Sequence, residues 1–355
     1  MPAGLVRRIA SLTGALGTLA EGTAPLSVVI VGGTRGLGKA LAREFLWHGD
    51  KVFITGRSST SVAQAVASLR RQTACPADHL AAAVADCSSP RAMAGLAEHL
   101  SAMESGGAVD IFIANAGFSG GFKAFDEADA CVLDEIVSTT IGGAVLSAHA
   151  ALRVFGAQRR RGATNGSLWL TDGAGANGDA TAMYAAYGCC KAAVRQFAKS
   201  LQAESPPSAV VGLLSPGLVL TDLLLEGNHS PRTKAAFNVL AQQPETCAAQ
   251  LVPSIRTAHM NAARHHWSRA PHLRVLTPAT AALQLMAFPW TRHRYFDALG
   301  RPQFAAEEDR IAALPRGRAG RAAALTSMPV LAHAKVAGVA IAAALLATAA
   351  ASAGP

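Results

Sequence analysis

The chain has 355 residues, 50% of them hydrophobic and 15% charged, which excludes a disordered protein and suits one large α/β domain with extensions. Aromatic residues are only 5% and alanine is abundant, so small aliphatic side chains build the core. The net charge of +9 calls for an anionic partner. A phosphorylated cofactor or lipid headgroups fit that charge. No motif or aromatic stacking pattern accompanies the Lys and Arg residues, so nucleic acid is set aside.

Residues 1–24 carry Arg7, Arg8, Ser11 and Thr13 with Glu21 as the one acid, the composition of a targeting remnant. Leu26–Val31 is an apolar run leading into a glycine-rich turn, and Lys39–His48 has helical spacing. Lys51–Thr55 reads as a second strand, Ser61–Arg71 as a helix, Leu80–Ala85 as a third strand and Val109–Ala114 as a fourth. One long helix is predicted over Leu133–Phe155, a strand over Ser167–Thr171 and a helix over Met183–Glu204. Ala209–Leu214 and His272–Leu276 complete the strands, and the His- and Arg-rich stretch Thr257–Arg274 reads as an inserted loop. The fold class is therefore α/β: a doubly wound parallel Rossmann-type sheet with helices on both faces, in one domain over 25–305.

A basic linker is expected over 306–335, followed by a C-terminal hydrophobic tail, Val336–Pro355, without a charge. Its length approaches a membrane span, and Arg310, Arg316, Arg318 and Arg321 precede it where an anchor carries positive charge. The six cysteines have no C-x-x-C spacing, which argues against a zinc site, and no metal site is expected. Cys189 and Cys190 are neighbours on a helix and point to different faces.

Gly32, Thr34, Arg35, Gly36, Leu37 and Gly38 follow the first strand and open the first helix. Glycines there let the backbone approach a pyrophosphate, whose charge the helix N-terminus holds. The second strand ends without the acid that would bind ribose hydroxyls, and carries Arg57 instead. Arg35 and Arg57 are thus placed to hold a 2′-phosphate, which selects NADPH over NADH. Asp86 falls near the adenine, and Asn115, Ala116 and Gly117 supply small residues where the backbone passes the cofactor.

Tyr187 and Lys191 are four apart, so a helix sets phenol and ammonium on one face. The ammonium and a nicotinamide cation would lower the phenol pKa and make Tyr187 a proton donor to a carbonyl oxygen, with Lys191 also holding the nicotinamide ribose. Tyr184 is less suited, because Gly188 stands where its lysine would be. Pro216, Gly217, Val219 and Thr221 form a turn after the sixth strand that suits a grip on the carboxamide.

The spacing of Gly32, Gly36 and Gly38 and the Tyr187–Lys191 pair resemble the short-chain dehydrogenase/reductase family. Within it, the chain is similar to the plastid chlorophyll b reductases. The stretches 32–50, 171–178, 215–227, 237–253, 294–301 and 305–310 carry this resemblance. The wider family has a catalytic serine near the end of the fifth strand and an asparagine in mid-helix. Here Thr171 or Asp172 would substitute for the serine, Asp172–Gly175 replacing the serine turn as in this branch, and Thr140 fills the asparagine's position. The resemblance implies reduction of the 7-formyl group of chlorophyll b by NADPH. The pigment would be presented by light-harvesting antenna complexes at the stromal side of the chloroplast thylakoid membrane, to a homo-oligomer or a pair with a related reductase subunit. Leu218, Leu220, Leu223, Leu224 and Leu225 would line a mouth for the macrocycle, and His229 could meet its magnesium. Two readings compete: reduction of another bulky hydrophobic carbonyl, and a non-catalytic NADP-binding scaffold.

Overall fold

The structure is a computed structural model that describes residues 24–102, 108–163, 165–204, 208–227, 230–262, 271–315, 320, 321 and 324. Its centre is a seven-stranded parallel sheet in the order β3-β2-β1-β4-β5-β6-β7. The strands are β1 (Ser27–Val31), β2 (Lys51–Gly56), β3 (Leu80–Val84), β4 (Ile111–Ala114), β5 (Gly166–Thr171), β6 (Ala209–Ser215) and β7 (His272–Arg274). The order reverses between β1 and β4, so a cleft opens at their carboxyl ends.

Strand residues alternate between two cores. Val28 and Ile30 join one with α1 (Gly36–Trp47), α2 (Ser59–Thr73) and residues Cys247–Ala258. Val29 and Val31 join the other with α3 (Pro90–Ala102), α5 (Gly143–Arg160) and α6 (Ala185–Glu204). Both faces being covered explains why the strands read as continuous apolar runs. Leu41 and Phe45 of α1 are fully buried, each worth roughly 1.5–3 kcal/mol of transfer free energy.

Several boundaries differ from the sequence reading. The first helix begins at Gly36, inside the glycine turn, because Arg35 is extended and Gly36 supplies a positive φ. The long helix is divided into α4 (Ala130–Val137), a π turn over Ser138–Gly142, and α5. The next helix starts at Ala185, since Met183 sits in the left-handed region (φ 65°) and cannot open a right-handed helix. Cys189 is exposed and Cys190 buried, on different faces as expected. Residues 130–160 also form, among the described residues, the one helix long and apolar enough to cross a membrane; here it packs on α3 and the sheet.

After β6 come helices that the sequence reading did not separate: α7 (Asp222–Leu225), α8 (Pro231–Leu240), α9 (Pro244–Ala262), α10 (Pro278–Met286), α11 (Phe288–Thr291) and α12 (Glu307–Ala312). The expected loop over 257–274 is not a loop throughout. Its first residues continue α9, its last form β7, and 263–270 lie outside the described residues. Nor is the start of the expected basic linker separate from the domain. Glu307 of α12 pairs with Arg43 (2.6 Å) and Lys39 (3.2 Å) of α1, and Arg310 pairs with Glu245 of α9 (2.7 Å). Arg310 is thereby engaged within the domain. Residues 1–23, His229, Arg316, Arg318 and the tail 336–355 lie outside the described residues.

Candidate active site

The cleft at the sheet's switch point is a cavity of about 690 Å³. One end is built from the turn between β1 and α1. Gly32 has φ 79°, and a Cβ there would stand 2.8 Å from the Ala116 Cα; at Gly38 it would stand 2.1 Å from the Gly32 carbonyl oxygen. The backbone is therefore compact only with glycine at these places. Asn115 Nδ2 donates to the Gly32 carbonyl at 3.1 Å, tying the end of β4 to the glycine turn. Gly32, Thr34, Arg35, Gly36, Leu37, Asn115, Ala116 and Gly117 line the cavity, as do Pro216, Gly217, Val219 and Thr221 opposite. Thr221 faces the glycine turn, its Cγ2 lying 3.1 Å from where a Gly36 Cβ would be. Gly38 lies behind this surface and supports it.

Arg35 is exposed and Arg57 half-exposed, and both line the cavity beside Ser58 and Ser61. Arg57 donates to Glu135 of α4, which raises its pKa and occupies part of the guanidinium. Asp86 sits between two residues of the cavity lining, Ala85 and Cys87. Its Oδ1 accepts from the Ser88 N–H (2.9 Å) and hydroxyl (2.8 Å), which closes the turn before α3.

At the other end, α6 presents Tyr187 and Lys191, both buried and both lining the cavity. Gly173 leaves room for them: a Cβ there would lie 3.0 Å from the Tyr187 hydroxyl and 3.3 Å from Lys191 Cε. Lys191 Nζ donates to the Thr171 carbonyl at 2.9 Å and stands 5.5 Å from the centre of the Tyr187 ring. Burial pulls the Lys191 pKa down to about 8, against the pull of Asp172 and Cys190. Burial likewise pushes the Tyr187 phenol well above its usual value, with Tyr184 and Asp172 adding to it. Burial is thus the largest influence of the protein groups on the phenol, and it acts opposite to the lowering expected from Lys191 and a nicotinamide cation together.

The expected roles of Thr140, Thr171 and Asp172 separate. Thr140 Oγ1 donates to the Phe118 carbonyl (3.0 Å) and accepts from the Phe118 N–H (3.1 Å), so its hydroxyl pins the loop after β4 and does not line the cavity. The Thr171 hydroxyl is buried without a hydrogen-bond partner among the described residues, while its carbonyl holds Lys191. Asp172 is buried, lines the cavity and lies 3.3 Å from His272 Nε2.

His272 is a site residue the sequence reading missed. A buried carboxylate needs a partner, and that requirement was the available signal. Also missed were Phe118, Phe122 and Phe237 in the lining. Of the five leucines expected at the mouth, Leu218, Leu223 and Leu224 line the cavity. Leu220 instead belongs to a small separate core with Phe237, Tyr295 and Phe296, against which Leu225 packs. Tyr184 lines the wall, its ring 6.0 Å from that of Tyr187.

The tight glycine turn at a helix start, the two arginines beside it and the small residues at the end of β4 fit a nicotinamide dinucleotide laid across the switch point. Comparison with known proteins agrees. The short chain dehydrogenase model matches residues 27–231. The chain is 38% identical over 304 residues to the probable chlorophyll(ide) b reductase NYC1, chloroplastic, of Oryza sativa subsp. japonica, covering 81% of this chain and 57% of that protein. It is 38% identical over 239 residues to the chlorophyll(ide) b reductase NOL, chloroplastic, of Arabidopsis thaliana, covering 66% of each. The chain thus spans little more than half of the first relative's length. Among solved structures, the 3-ketoacyl-(acyl-carrier-protein) reductase from Brucella melitensis complexed with NADH shares the fold. Its TM-score is 0.58 at 21% identity, covering 70% of this chain and 96% of the other. The alcohol dehydrogenase from Thermococcus sibiricus complexed with 5-hydroxy-NADP gives 0.54 at 21% identity, over 71% and 96%. The chain belongs to the short-chain dehydrogenase family.

Proposed function

We propose that the protein is an NADPH-dependent reductase of the 7-formyl group of chlorophyll b, giving 7-hydroxymethyl chlorophyll a, and that it works in the plastid. The observation that carries this reading is the cavity itself. It joins a dinucleotide cradle with two arginines to a buried Tyr187–Lys191 pair, and its remaining lining includes an apolar group, Phe118, Phe122, Leu218, Leu223, Leu224 and Phe237, beside Asp172, Asp222 and Thr233. The similarity to two chlorophyll(ide) b reductases supports the substrate. Presentation of the pigment by antenna complexes at the thylakoid belongs to the same proposal.

When bound, the cofactor supplies the hydride. Arg35 and Arg57, with Ser58 and Ser61, would hold its 2′-phosphate through charge-assisted bonds. Lys191 stays fixed by the Thr171 carbonyl and would reach the nicotinamide ribose. Tyr187 gives its proton to the carbonyl oxygen as the formyl carbon is reduced. Its raised pKa keeps it protonated until then, and a nicotinamide cation bound beside it would favour the phenolate that results. The apolar lining excludes water from the reacting carbon.

The test is anaerobic incubation of the full chain in mild detergent with NADPH and chlorophyll b. Pigments are followed by absorption and chromatography beside Tyr187→Phe. A product lacking the formyl band, formed by wild type and not by Tyr187→Phe, is expected. Tight NADPH binding with no product would refute chlorophyll b as the substrate.

A further inference from the structure

The helices beyond β7 turn an apolar face outward. α10 and α11 pack on α8, whose Thr233 and Phe237 line the cavity, so the pair lies one helix away from the cavity wall. Its inner side is fixed. Gln284, Ala287 and Thr291 are buried, and Thr277 and Thr280 close a capping box at the start of α10. The chain leaving α11 is clamped by Asn238 of α8. Its Nδ2 donates to the Arg292 and Phe296 carbonyls (2.7 and 2.8 Å), and its Oδ1 accepts from the Tyr295 and Phe296 N–H groups (2.8 and 2.7 Å).

On the outer side, Leu283, Leu285, Met286 and Phe288 are 42%, 58%, 56% and 48% exposed. Every other exposed residue described between Val275 and Thr291 is Ala or Pro. Single exposed apolar side chains are ordinary, but four on one short, rigidly held ridge mark a contact surface. The charge around the ridge says what it contacts. No Asp or Glu occurs between Glu245 and Asp297. Exposed basic residues stand at both ends of the apolar stretch, Arg274 before it and Arg292 and His293 after it. Asp297, the first acid beyond, is taken up by Arg301 at 2.7 Å. Apolar side chains bordered by basic ones, with acids kept away, match a layer that is apolar beneath and anionic at its surface. The net charge of +9 acts in the same direction.

We propose that α10 and α11 form the face by which the protein rests on an anionic lipid bilayer. Leu285, Met286 and Phe288 enter the headgroup layer, and Arg274 and Arg292 meet the acidic headgroups. α8 carries both this ridge and part of the cavity wall, so docking holds the reductase site within one helix of the lipid. This face is separate from the tail 336–355. The face itself does not depend on which carbonyl is reduced; its use in catalysis rests on the reading of an apolar substrate.

The test uses the full chain and vesicles of phosphatidylcholine, with and without phosphatidylglycerol, and no pigment. Binding is followed by sedimentation and its place by hydrogen exchange. Vesicles containing phosphatidylglycerol are expected to bind the chain and to slow exchange over residues 278–289. Leu285→Glu with Met286→Glu should weaken that binding at least about tenfold, and Arg292→Gln about fivefold, the worth of one basic side chain at an anionic surface. Both replaced apolar side chains are exposed, so an unchanged melting temperature is expected and confirms that the fold is kept. Binding that leaves exchange over 278–289 unaltered, or that the double variant retains in full, overturns the proposal, because another part of the chain then holds the lipid. So does a segment already protected without vesicles, whose protection is lost on dilution as the mass by light scattering falls; the face then meets a second copy. Activity separates docking from substrate. With chlorophyll b in anionic vesicles the double variant should be slowed at least about tenfold, and in detergent it should match wild type. No product from wild type in either medium, with docking intact, refutes the substrate and leaves the face standing.

Discussion

Glu135 offers the most discriminating test of cofactor choice, because it already occupies the group assigned to the 2′-phosphate. Its carboxylate accepts from Arg57 across the rim of the cavity, and the two side chains are 39% and 52% exposed. An ion pair so open to water contributes about 0.2–1 kcal/mol. Glu135→Gln removes that competition and one negative charge near an incoming phosphate, so NADPH should bind up to about fivefold tighter. NADH, which has no phosphate there, should change little. Arg57→Leu should do the opposite, weakening NADPH by roughly tenfold to a hundredfold as one charge-assisted bond of about 1.5–3 kcal/mol is lost. With Arg57→Leu in place, Glu135→Gln should have no further effect. Calorimetric or fluorescence titration of both cofactors measures this, and added salt should shrink the NADPH gain. Equal tightening of NADH and NADPH by Glu135→Gln would refute the reasoning, since the effect would then not run through the 2′-phosphate. So would weaker binding of NADPH.

Gly173→Ala places a methyl 3.0 Å from the Tyr187 hydroxyl, and should lower kcat by roughly tenfold to a hundredfold with NADPH affinity little changed. Lys191 titrates near pH 8 in the folded chain and near 10.5 unfolded, so the unfolded chain binds more protons between those values. Wild-type stability relative to Lys191→Met should therefore rise across that window, by on the order of 3 kcal/mol, in urea titrations at its two ends. Arg256→Leu strands the Asp50 carboxylate at the buried foot of the sheet and should cost about 3 kcal/mol, with part recovered by adding Asp50→Asn.

The sheet and the two ends of the cavity were legible in the sequence because each rests on local pattern. Val28–Val31 and Ile111–Ala114 are apolar through and through, as strands covered on both faces must be. The glycine turn and the Tyr187–Lys191 spacing are local for the same reason. What stayed hidden depends on residues distant in the chain. Asp172 meets His272 only because β5, β6 and β7 lie side by side, and Arg57 meets Glu135 only because α4 crosses the end of β2. Two of the helices after β6, α8 and α10, did leave signals. Ser230 before Pro231 and Thr277 before Pro278 are helix N-caps followed by proline, and both accept a capping bond in the structure.

The π turn over Ser138–Gly142 sets the phase of everything around it. Gly143 N–H reaches back to the Ser138 carbonyl, so the chain spends one residue more than an α-helical turn would. Each residue of a helix advances the face by about 100°, and α4 and α5 are therefore out of step by that angle. The offset lets Ile136 point into the site wall while Ala144, Ala148 and Ala151 turn toward the sheet. Removing one residue between Ser138 and Gly142 would give a more regular helix and a worse protein. Either the alanine face or Ile136 would swing to solvent, and the Thr140 hydroxyl would leave Phe118. In this helix the irregular turn acts as a spacer that keeps two buried faces in register, and length is under tighter constraint there than residue identity.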